Sequence, residues 1–138
     1  MSDLEKISAF IAQHHVMSLA TKSSEELSVC SLFYAFSLKD LMFVVASNDD
    51  TTHIQHIKQN PNVAGNILLE TKKVGEIRGL QFRGEFVALE EKKKLRNLYF
   101  KTFPYALALT PTLWQIKVNY YKLTDNRLGF GKKIVYRK

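Results

Sequence analysis

Cysteine is nearly absent: Cys30 is the only one in 138 residues, so no intrachain disulfide can form and nothing suggests an oxidising compartment. A reduced, buried thiol is the expectation for it. Long apolar runs are missing too. The longest, Leu41 to Ala46, stops at Ser47-Asn48-Asp49-Asp50, far short of the roughly 20 residues that cross a bilayer as a helix. No transmembrane helix is expected. The opening Met1-Ser2-Asp3-Leu4-Glu5 has no basic patch ahead of an apolar stretch, so no secretory signal is read and the expected location is cytoplasmic. The nucleotide fingerprint Gly-x-Gly-x-x-Gly, a P-loop and a Gly-x-Ser-x-Gly turn are all missing, which argues against dinucleotide, nucleoside-triphosphate and serine-hydrolase chemistry. Gly129-Phe130-Gly131-Lys132-Lys133 has two glycines and a lysine without the P-loop spacing.

What remains is an ordinary foldable composition, 46% hydrophobic and 24% charged, in a length that suits one domain of roughly 100–150 residues. The formal charge of +7 is uneven. Up to Asn60 there are 4 basic and 7 acidic residues, and after it 16 basic and 6 acidic, so the halves carry −3 and +10. A basic half suits nucleic acid, an anionic ligand or a solvated face. Lys92-Lys93-Lys94-Leu95-Arg96 follows Glu90-Glu91 in a helical segment and reads as a solvated face.

Ser2 and Glu5 form a capping-box pattern, and Leu4, Ile7 and Ile11 then recur at helical spacing to about His15. Val16 to Thr21 and Leu27 to Ser37 read as a hairpin, and Leu41 to Ala46 as a third strand buried on both faces. Thr51 to Gln59 is a short helix stopped at Asn60-Pro61, with Asn48, Asp49 and Asp50 as the cap-forming residues ahead of it. Strands follow at Val63 to Thr71 and Glu76 to Leu89, then a helix from Glu90 to about Phe103 ended by Pro104, then a strand from Trp114 to Leu123. About six strands in hairpin-like succession with three helices imply a mainly β, largely antiparallel sheet able to close into a barrel.

Chemistry-bearing candidates are few. His53 and His56 share a helix face, but no second cluster of ligand residues accompanies them, so no metal site is expected. The helix entry Thr51-Thr52-His53 offers free N–H groups, the positive end of the dipole, two hydroxyls and an imidazole, a combination that suits phosphate. Gln81 and Arg83 share a strand face with Gly79, where a flat ligand can approach the backbone. Phe33, Tyr34, Phe36 and Trp114 are candidates for an apolar wall or for core.

Five stretches carry a resemblance: Phe33-Tyr34-x-Phe36, Thr51-x-His53-x-Gln55, Ile77-Arg78-Gly79-x-Gln81-Phe82-x-Gly84-Glu85, Trp114-x-Ile116 and Thr124-Asp125-Asn126-x-Leu128-Gly129-Phe130-Gly131-Lys132-Lys133. Over nearly its whole length the chain resembles the YhbP-like family, within the FMN-binding split-barrel superfamily related to pyridoxamine-5'-phosphate oxidase. The resemblance implies a six-stranded antiparallel split β-barrel in a single domain over 1–138, forming a homodimer with a flavin groove between subunits. It places the isoalloxazine ring along Val29, Cys30 and Ser31, with Ala46 and Ser47 on the adjoining strand end and the phosphate at Thr51, Thr52 and His53. Arg78, Gln81, Trp114, Lys132 and Lys133 complete the implied cofactor set. The phosphate oxidases resembled carry Ser-Arg-Lys where this chain has Thr51-Thr52-His53, and their carboxy-terminal Arg-x-His has no counterpart here.

The implied function is therefore an FMN-binding oxidoreductase acting on a small molecule other than pyridoxamine phosphate, with FMN held weakly. No catalytic side chain is assigned. The alternatives are a basic barrel that binds single-stranded nucleic acid, a haem-binding barrel with His14, His15, His53 or His56 as iron ligand, and a dimeric scaffold without cofactor.

Overall fold

Ser2 caps the first helix as its spacing predicts. In the computed structural model, which describes residues 1–138, its hydroxyl accepts from Glu5 N at 3.1 Å and the Glu5 carboxylate accepts from Ser2 N. Helix α1 (Asp3–Ala12) buries Ile7, Phe10 and Ile11 and gives way to β1 (Val16–Lys22). Strands β2 (Leu27–Ser37) and β3 (Met42–Ala46) continue the meander, and α2 (Thr52–Gln59) leaves the end of β3. Then come β4 (Asn62–Leu68), β5 (Arg78–Ala88), α3 (Lys92–Thr102), β6 (Leu113–Asp125) and β7 (Lys133–Arg137).

Every strand pairing is antiparallel, in the order β3-β2-β1-β4-β5-β6, and β3 pairs back onto β6. Six strands thus close into a barrel, and β7 lies outside the closed set on the far half of β6. Closure pairs β3 on both sides and leaves β7, five residues long, as an edge strand. Strand β6 makes this possible by its length: Leu113 to Lys117 faces β3, and Tyr120 to Thr124 faces β7.

Alternation along the strands builds the core. Met17, Leu19, Phe43, Val45, Ile67, Leu80, Phe82, Phe86, Ile116 and Tyr121 point into the barrel and are almost fully buried, with α1 and α2 supplying Ile7, Ile11, Ile54 and Ile57. A second, smaller core lies outside the wall, where Leu95 and Tyr99 of α3 cover Ala35, Val44 and Leu113. Strand β3 is therefore buried on both faces, Phe43 and Val45 inward and Val44 under α3.

At the tail the structure adds a strand that the sequence pattern does not predict. Gly129 (φ 137°) and Gly131 (φ 71°) turn the chain back, Asp125 N donates to Lys132 O at 2.9 Å, and β7 pairs with β6. Ile134, Val135 and Tyr136 stand between lysines and an arginine, too short an alternation to announce a strand.

A bulge falls between Arg83 and Gly84, where Arg83 opposes Tyr120 and Gly84 opposes Val118. A Cβ at Gly84 would collide with the Lys117 carbonyl and come within 3.0 Å of Val118 Cα, backbone that cannot give way. Gly84→Ala should therefore cost about 2–3 kcal/mol, measurable as a lower urea midpoint.

Candidate functional site

The end of β3, the start of α2 and the entry to β6 meet in a cluster of polar side chains. Ser47 N donates to Thr112 O at 3.0 Å, and the Trp114 indole donates to Ser47 O at 3.0 Å, so Ser47 is fixed from both sides by the entry to β6. His53 Nε2 bonds Ser47 Oγ, and its ring meets Phe86, which in turn packs on Trp114 at 5.8 Å. An aromatic wall thus stands beside the first turn of a helix.

That first turn is capped by Thr51, and not by Asn48, Asp49 or Asp50, the cap-forming residues expected from the sequence. Thr51 Oγ1 donates to Asn48 O at 2.9 Å and accepts from Ile54 N, so its hydroxyl is committed. Thr52 is exposed and its backbone N–H, like that of His53, belongs to the helix turn with no carbonyl to receive it. Burial lowers the pKa of His53, and the neighbouring His56 lowers it further. At neutral pH the imidazole is uncharged. His14 is shifted the same way, by burial first and by Arg78 second.

Both shifts predict acid sensitivity. A histidine whose folded pKa is depressed keeps its full contribution above the unfolded value near 6.5 and loses it as pH falls below that value, because the unfolded chain takes the proton first. The melting temperature should fall between pH 7.5 and pH 5, and by less in a His14→Gln, His53→Gln double variant.

The other two histidines named as iron ligands are disposed differently. His56 is buried, with Nδ1 at 2.9 Å from Thr21 Oγ1 and Nε2 at 2.8 Å from Glu26 Oε1. It clips the β1–β2 hairpin to α2. His15 is exposed and stacks on Phe33 at 5.9 Å.

The structure sorts the sequence-predicted residues into three places. Ala46, Ser47, Thr51, Thr52, His53 and Trp114 come together at the start of α2. Val29, Ser31 and Gln81 lie on the outer face, in rows where Val29 opposes Ala20 and Ser31 opposes Ser18, which opposes Asn66, which opposes Gln81. A groove of about 420 Å³ runs there over Ser18, Ala20, Val29, Ala64 and Gln81. Cys30 turns the other way, opposite Leu19 and half-buried, and burial raises its thiol pKa. Arg78, Lys132 and Lys133 sit at the far end: Arg78 opposes Asp125, and Lys133 opposes Thr124. From Trp114 to Thr124 along β6 is roughly 30 Å at about 3.3 Å per residue, so one protomer cannot bring these lysines to α2.

Of the aromatics named as a wall, Trp114 alone serves there. Tyr34 and Phe36 pack on Phe43 in the core, and Phe33 is exposed beside His15 and Phe103. The sequence reading missed Phe86. Its signal was the alternation Leu80, Phe82 that Phe86 continues past the bulge.

The profile of the pyridoxamine 5'-phosphate oxidase family matches residues 4–120. The chain belongs to that family. Within it the chain is 36% identical over 134 residues to a UPF0306 protein of Photorhabdus laumondii, covering 96% of this chain and 94% of the relative. It is also 36% identical over 138 residues to the UPF0306 protein YhbP of Escherichia coli, covering 99% and 94%. Among solved structures, a heme binding protein from Mycobacterium smegmatis superposes with a TM-score of 0.84 at 16% identity, over 99% of this chain and 58% of that one. A FAD-binding protein from Mesorhizobium loti superposes with a TM-score of 0.72 at 19% identity, over 89% and 94%. At such identities the structural neighbours establish the split-barrel fold and nothing finer.

Proposed function

We propose that this family member is a dimeric FMN-binding protein that serves as an oxidoreductase for a small molecule other than pyridoxamine phosphate. The observation that carries the reading is the convergence of Ser47, His53, Phe86 and Trp114 on the first turn of α2, an aromatic wall next to a phosphate-attracting helix start. When bound, the flavin would supply the electron transfer, and the chain's part is to hold and orient it.

The residues fit the phosphate by hydrogen bonding and by the helix dipole, with little charge. Thr52 offers a free hydroxyl and two first-turn N–H groups are available, but Thr51 is spent on its cap and His53 is neutral. Weak binding follows. Lys132 and Lys133 are exposed at the opposite end of β6, so they reach a phosphate at α2 only from a second copy. The outer face gives that copy a place to dock. Its floor of Ser18, Ala20, Ala64 and Asn66 carries small side chains, and Val29 beside it is 72% exposed, with Leu27 two residues away on β2 at 82%.

Thr52→Ala combined with His53→Ala should weaken FMN at least tenfold, since each hydrogen bond to a charged group contributes about 1.5–3 kcal/mol. A fluorescence titration reads this directly. Unchanged affinity would place the phosphate elsewhere.

A further inference from the structure

A second cavity, of about 340 Å³, opens under α1 at the end of the barrel away from α2. Its size is at the small end for ligand sites. Four charged side chains line it: Lys6, Arg78, Asp125 and Arg127. Asp125 is almost fully buried and already neutralised, because Arg127 donates to both its oxygens, from Nε at 3.0 Å and from Nη2 at 2.8 Å. Arg78 and Lys6 form no ion pair of their own, although Arg78 lies near enough to help hold the Asp125 carboxyl below its usual range. Arg78 makes a single hydrogen bond, to the neutral Gln13 Oε1 at 3.2 Å, while its Nε is buried without an acceptor and its guanidinium lies over the Phe10 ring at 5.6 Å. The one carboxylate near this guanidinium is committed to Arg127, and a buried Nε without an acceptor calls for a partner. Apart from Gln13, the rest of the wall is apolar, with Phe10, Leu123 and Leu128 its largest side chains.

We propose that this cavity is a binding site for a small organic carboxylate with an apolar body, separate from the site at α2. Arg78 takes the carboxylate, for which its planar fork is shaped. Lys6 adds a second positive charge, and Phe10, Leu123 and Leu128 receive the hydrocarbon. Arg127 is the positioning residue, since it occupies Asp125 and so leaves Arg78 free for the ligand.

The test compares octanoate with 1-octanol, of equal chain length and without the charge, by calorimetric titration of the full-length protein. Octanoate should bind saturably, one per chain, and octanol at least tenfold more weakly. Arg78→Gln should weaken octanoate by roughly 10-fold or more and leave octanol unchanged, and Lys6→Gln should have a smaller effect of the same kind. Leu128→Trp, at a position 50% exposed, should block both by filling the mouth, and it decides the matter should Arg78→Gln fail to fold. Equal affinities for octanoate and octanol, indifference to Arg78→Gln or Leu128→Trp, or no saturation by about 10 mM octanoate would overturn the proposal. So would competition between FMN and octanoate with both lost in Arg78→Gln, which would assign the guanidinium to the flavin.

Discussion

Thr52→Arg combined with His53→Lys should tighten FMN binding by roughly 10- to 100-fold at pH 7.5. The two substitutions restore the cations that the resembled phosphate oxidases carry at these positions. They land at a helix start where the backbone already points N–H groups outward. One added charge-assisted bond of about 1.5–3 kcal/mol suffices for the lower bound. The fold should tolerate them: Thr52 is exposed, and His53 is partly exposed with a single polar partner of consequence, Ser47. The gain should shrink steeply with added salt, as an exposed charge pair does. An unchanged affinity in a folded double variant would mean that the phosphate does not lie at α2.

In the proposed dimer, Ala64→Arg should separate the two copies into monomers of 15.9 kDa and weaken FMN at the same time. Ala64 is exposed on β4, opposite Ala20 on one side and Arg83 on the other, in the floor of the 420 Å³ groove. A guanidinium there lifts any partner off the floor and sets a like charge beside Arg83. Arg83 itself is held over the Tyr120 ring at 4.3 Å, with Arg137 on the same ring at 4.7 Å, so it cannot easily retreat. Monomer fold should be preserved, because no core residue changes. Light scattering behind gel filtration gives the mass, and a flavin titration of the same sample gives the affinity. A variant that stays dimeric would move the interface to another face, and a monomer with unchanged FMN affinity would remove Lys132 and Lys133 from the site.

The barrel was legible because its signals are local. Ser2 and Glu5 announced α1, the alternation in Val16 to Thr21 and Leu27 to Ser37 announced the hairpin, and the unbroken run at Leu41 to Ala46 announced a strand covered on both faces. What local patterns cannot carry is which strand closes the ring. The pairing of Val45 with Trp114 joins residues about half the chain apart, and nothing in either run names the other. The same limit applies to the site. Thr51, Thr52 and His53 are consecutive, and their helix-start chemistry could be read directly. The contact of Ser47 with Trp114 depends on closure. The commitment of the Thr51 hydroxyl to its cap, the pairing of His56 with Thr21 and Glu26, and the missing acceptor for Arg78 Nε under α1 are facts of packing that spacing alone does not encode.

The central claim, that the start of α2 is a flavin phosphate site, is tested most directly by equilibrium dialysis of FMN against the purified protein, with the visible spectrum recorded on the protein side. The expected result is saturable binding of one FMN per chain, weak enough to be lost on prolonged gel filtration. A protein that shows no saturable flavin uptake up to about 1 mM, an affinity weaker than about 4 kcal/mol, would contradict it.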